Sequence, residues 1–173
     1  MKKNTTYRIV MTGLMMAIGV VLPTIFHFIP QFGIIFLPMH IPVLICGFLC
    51  GWPYGLVTGL AVPFLGCFIN GMPSLYPTAL VMALELGTYG LIAGILPKKW
   101  NVNVRLIMAM LAGRLIYGAA NVIFVGLLGS GYGWSAFLAG AFVKALPGIA
   151  IQLVLIPIIV AAVEKHIQSL GRA

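Results

Sequence analysis

Long apolar stretches separated by short glycine- and proline-rich breaks fill almost the whole chain, and this alternation limits the solvents in which it can fold. The stretches run roughly over 7–29, 36–50, 52–69, 77–96, 104–128 and 136–163, with breaks at 30–38, 51–53, 70–76, 97–103 and 129–135. A helix needs about 20 mainly apolar residues to cross about 30 Å of hydrocarbon. The pattern therefore predicts six spans in a single domain over residues 1–173. Of these residues 62% are hydrophobic and only 7% charged, more apolar surface than a soluble domain of this size can hide from water. The expected fold class is an all-α integral membrane protein, a six-transmembrane-helix bundle.

The formal net charge of +8 does not point to nucleic acid, because the basic residues punctuate apolar runs and do not cluster with stacking aromatics on a polar face. Their placement orients the bundle instead, since Lys and Arg beside the spans stay in the cytoplasm. Lys2, Lys3, Arg8, Lys98, Lys99, Arg105, Lys165 and Arg172 lie at the two termini and around the 97–103 break, whereas the breaks at 30–38, 70–76 and 129–135 carry no charge. Both termini are expected inside and those three breaks outside. The basic start resembles a signal peptide, but Leu22-Pro23-Thr24-Ile25-Phe26-His27 offers no small-residue cleavage site, so a retained first helix is expected. Cys46, Cys50 and Cys67 all lie in apolar stretches, without the spacing of a disulfide frame or a zinc site.

Polar residues inside the spans need a reason, because a charge at the membrane centre costs about 2.5–3.5 kcal/mol even on lenient scales. Glu85 falls about eight residues, or about 12 Å, below the outer end of the fourth span. Lys144 in the sixth span and Asn121 in the fifth lie at a similar depth, and His40 opens the second span from the same side. This level is the expected ligand pocket. Lys144 would donate to a carboxylate or carbonyl, Asn121 and His40 would hydrogen-bond the ligand, and Glu85 would either accept from it or hold Lys144. Asn70, Tyr76 and Trp134, from the uncharged outer breaks, are the remaining candidate contacts, with Phe36 beside them as a further lid. Two alternatives stay open: Glu85 and Lys144 form an ion pair that only sets helix register, and Arg114, deeper in its span, either supports the pocket floor or snorkels to the inner surface. Gln152 is a further mid-membrane amide, suited to a helix–helix hydrogen bond. Small residues four apart, Gly13 and Ala17 in the first helix among them, allow close helix approach.

This pattern resembles the S components, the substrate-binding subunits of energy-coupling-factor (ECF) vitamin transporters. The resemblance rests on Thr12-Gly13-Leu14-Met15-Met16-Ala17 in the first helix, Leu37-Pro38-Met39-His40-Ile41-Pro42 at the start of the second span and Lys144-Ala145-Leu146-Pro147-Gly148 in the last. It implies an N-in/C-in bundle that binds a vitamin near the outer surface and hydrolyses nothing. It also implies three protein partners: a transmembrane coupling subunit, docked on Gly13 and Ala17, and two ATPase subunits that use the ATP, with no cofactor held by this chain. The Leu-Pro-Met-His start and the Met72-Pro73-Ser74-Leu75-Tyr76-Pro77 lid are most similar to pantothenate-type members. An intramembrane enzyme is the first rival, but the chain has no Asp and neither HExxH nor GxSxG. An autonomous channel or small exporter would need a polar stripe through the whole membrane depth, and the inner half is nearly all apolar.

Overall fold

A computed structural model describes residues 5–27, 37–124 and 146–170. They form six helices: α1 (Thr5–His27), α2 (His40–Cys50), α3 (Trp52–Asn70), α4 (Leu80–Ile95), α5 (Val102–Phe124) and α6 (Leu146–Leu170), with a short wide turn at Leu75–Ala79 leading into α4. No strand occurs among the described residues. Five segments are long and apolar enough to cross a membrane: Thr5–Ile25, Trp52–Asn70, Leu75–Ile95, Val102–Phe124 and Leu146–Ile167. The stretch expected at 36–50 contributes a helix of only 11 residues, about 16 Å long and too short to span hydrocarbon unaided.

Helix packing explains how α2 tolerates that length. It touches α1, α3, α4 and α6, while α3 and α4, α4 and α5, and α5 and α6 adjoin in turn. Four of the five long helices thus pack around α2, and ten of its eleven residues are buried. A short helix is stable at membrane depth when protein rather than lipid covers its ends. Pro42 sits in its first turn, where a missing N–H leaves no bond unmade. At the other end Gly51 takes φ 98° and donates its N–H to the Gly47 carbonyl, turning the chain directly into α3. Few residues other than glycine adopt that φ.

Two apolar clusters fill the interior. The larger joins Leu44, Phe48 and Leu49 of α2 to Tyr89 and Ala93 of α4, Leu106 and Met110 of α5, and Ile156 and Val160 of α6. The smaller joins Val20, Met39, Val43, Val62 and Leu86. Helices α3 and α4 meet backbone to backbone: a Cβ on Gly90 would strike the Gly55 carbonyl, and one on Gly59 would strike the Leu86 carbonyl. Large apolar side chains point the other way, with Val10, Phe68, Leu115 and Val154 each more than 60% exposed. An apolar exterior over a close-packed interior is what a lipid solvent selects.

Arg105, counted above with the charges of the 97–103 break, is buried. Its Nη2 donates to the Ala93 carbonyl at 2.6 Å and its guanidinium lies 4.7 Å from the centre of the Phe48 ring. The long side chain folds back to satisfy a carbonyl that the last turn of α4 leaves free, and so ties α5 to α4 and α2. Arg105 also feels the carboxylate of Glu164. Because Glu164 lies late in α6 and Arg105 early in α5, these helices run antiparallel.

Candidate functional site

The polar residues of the interior are set by helix register. On four helices a polar residue stands one turn from a member of the larger apolar cluster: His40 from Leu44, Glu85 from Tyr89, Arg114 from Met110, and Gln152 from Ile156. Side chains four apart share a helix face. Helices α2, α4 and α6 run opposite to α5, so all four polar residues fall on the same side of the cluster, toward the 71–79 connection. They form a polar layer above an apolar floor.

Glu85 is the hub of this layer and is 2% exposed. Its Oε1 lies 2.9 Å from Arg114 Nη1, accepts the Tyr89 hydroxyl at 3.0 Å and lies 3.6 Å from His40 Nε2. The His40 and Tyr89 rings pack at 5.3 Å between centres, tilted by 56°. Tyr89 is held from behind by Gly113, where any Cβ would enter its ring. Arg114 also lies 5.8 Å from the centre of the Tyr117 ring, one turn further along α5. Its guanidinium turns to Glu85 and is buried, so of the two expected dispositions it does not snorkel.

Hydrogen bonding in the layer is incomplete. Nδ1 and Nε2 of His40, Nε and Nη2 of Arg114, and Oε1 and Nε2 of Gln152 are buried with no hydrogen-bond partner among the described residues. Each such atom costs about 1–3 kcal/mol if left unmet, and native proteins keep only a few. Donors and acceptors from three helices are thus left open to partners beyond the described residues.

The other expected site residues distribute differently. Asn121 is nearly buried two turns beyond Arg114 on the same face of α5, about 10 Å closer to the helix end, and its Nδ2 donates to the Tyr117 carbonyl at 2.8 Å. Asn70 donates to Thr24 Oγ1 at 2.7 Å and to the Val20 carbonyl at 3.2 Å, fastening α3 to α1. The Tyr76 hydroxyl donates to the Phe124 carbonyl at 2.8 Å and its ring packs edge-on against Phe124, fastening the α3–α4 connection to the end of α5. Lys144, Trp134 and Phe36 lie outside the described residues. Gly13 and Ala17 are exposed on α1, and a Cβ on Gly13 would meet nothing within 4 Å. Tyr89 was not anticipated from the sequence, although its place four residues after Glu85 was a usable signal. The cysteines pack as expected, with the added detail that Thr58 Oγ1 donates to Cys46 Sγ at 3.2 Å. Among the described residues no group of three His, Cys, Asp or Glu side chains could hold a metal ion.

A bundle with an apolar exterior and one buried polar layer near one end defines a membrane protein equipped to hold a small polar molecule. The family model described as "ECF transporter, substrate-specific component" matches residues 7–160, and the chain belongs to that family. It is therefore a multi-pass membrane protein and the substrate-binding component of a transporter, in a family of transporter components and not of enzymes, and membership implies association with an ECF module and a small-molecule substrate. No curated protein and no solved structure matches the chain.

Proposed function

We propose that this chain captures a vitamin from outside the cell at the layer formed by His40, Glu85, Arg114 and Gln152, and delivers it inward with an ATP-driven module of one coupling subunit and two ATPases. The observation that carries the site is the set of six buried polar atoms on three helices that have no hydrogen-bond partner among the described residues. The charge map supports the orientation: the uncharged 70–76 break lies on the same side as the layer, and the basic 97–103 break on the other. Both termini are then cytoplasmic. Asn121 lines the way in, Tyr76 and Asn70 brace its rim, and Lys144 and Trp134 are retained as ligand contacts on their sequence depth. Pantothenate is the first candidate substrate, on the similarity of the segment that ends in His40 and of the 72–77 lid to pantothenate-type members. Purified alone in proteoliposomes, the chain should bind its vitamin tightly without moving it, with uptake appearing only when the ECF module and ATP are supplied. Vitamin flux through the chain alone would overturn the proposal.

Gly13 and Ala17 are proposed as the docking groove for the coupling subunit, supported by their exposure on α1, where no described residue lies within 4 Å of a Cβ on Gly13. Gly13→Trp should abolish co-purification with the coupling subunit and leave vitamin affinity unchanged. Retained co-purification would move the docking face elsewhere.

A further inference from the structure

The unpartnered atoms of Arg114 have a direction. Nε–H and the adjacent Nη2–H form the side-on fork of a guanidinium, two parallel donors matched to the two oxygens of a carboxylate. Glu85 is held at Nη1 alone, and both fork nitrogens are buried without a partner among the described residues. Neither acidic side chain of this chain can fill the fork. The chain has only two acidic residues: Glu85 already occupies the opposite edge of Arg114, and Glu164 lies twelve residues beyond Gln152 on α6, about 18 Å away. Gln152, 1% exposed, adds an unpartnered amide on the same layer.

We infer that the substrate carries a carboxylate, seated bidentate on Nε and Nη2 of Arg114, with the Gln152 amide hydrogen-bonding the polar group next to it. The inference rests on the binding function proposed above and narrows it to one chemical class. A phosphate ester fits less well, since a dianion would share a single guanidinium with Glu85 in a water-poor site. A monoanion adds only one negative charge beside the Arg114–Glu85 pair.

The test uses the full chain in detergent and matched vitamin pairs: pantothenate with pantothenol, nicotinate with nicotinamide, lipoate with lipoamide, and biotin with biotinamide, with riboflavin, thiamine and pyridoxal phosphate added. Binding is read by calorimetry and by the rise in melting temperature. One acid should bind, its neutral counterpart should bind at least about tenfold more weakly, and Arg114→Lys should weaken the acid by roughly 10- to 100-fold. That variant keeps a cation for Glu85 but has no planar fork, so its unliganded melting temperature should stay near that of the parent. The neutral partner binding as well as the acid, tightest binding by a neutral or phosphorylated compound, or an unchanged acid affinity in Arg114→Lys would each overturn the carboxylate assignment while leaving the binding function intact. Binding of none of these compounds would overturn both.

Discussion

Arg114→Met should destabilise the ligand-free protein by about 3–5 kcal/mol, because it leaves the Glu85 carboxylate buried without its cation. The effect should be visible as a large drop in melting temperature in detergent. Among the described residues the Tyr89 hydroxyl and the more distant His40 ring would remain to the carboxylate, and neither replaces the guanidinium at 2.9 Å. Adding Glu85→Leu to Arg114→Met should recover most of the loss, since exchanging a whole buried pair for apolar groups of similar size is often close to neutral. The recovered double variant should still fail to bind substrate, which separates the pair's structural cost from its use. If the single and double variants were equally unstable, the ion pair would not be what the surrounding packing depends on.

Gly90→Val should cost about 1–3 kcal/mol through overpacking and weaken substrate binding at the same time. Its Cβ would strike the Gly55 carbonyl, and backbone cannot yield as a flexible side chain can. Helix α4 would have to move away from α3, taking Glu85 and Tyr89 out of register with Arg114 and His40. Gly13→Ala, by contrast, meets open space and should change stability by no more than about 0.5 kcal/mol. The comparison is read by melting temperature and ligand titration of the two variants side by side. A Gly90→Val protein with parental stability and affinity would show that the α3–α4 contact is looser than its geometry implies.

The helices of the described residues were legible in the sequence as apolar stretches, because apolar length and Gly or Pro breaks are local properties. The turn at Gly51 and the start of α3 at Trp52 fell where the pattern placed them. The reach of the second span did not, since apolar composition does not distinguish a helix that crosses lipid from a short one enclosed by its neighbours. What made α2 central was its contact with four other helices, a fact of tertiary packing.

The site divides along the same line. That Glu85, His40 and Arg114 carried unusual meaning followed from the cost of burying polar groups in hydrocarbon, which sequence alone reveals. Their partners did not follow, because pairing depends on how each helix is rotated and how far it slides along its neighbour. Depth counted in residues put Arg114 deeper than Glu85 and left its partner open, whereas its long side chain and the antiparallel register of α4 and α5 bring the two together. Sequence by itself determined the solvent, the helices and the polar residues that had to be satisfied within them. Tertiary structure decided which of those residues meet, and it left Nε and Nη2 of Arg114 buried without a hydrogen-bond partner among the described residues.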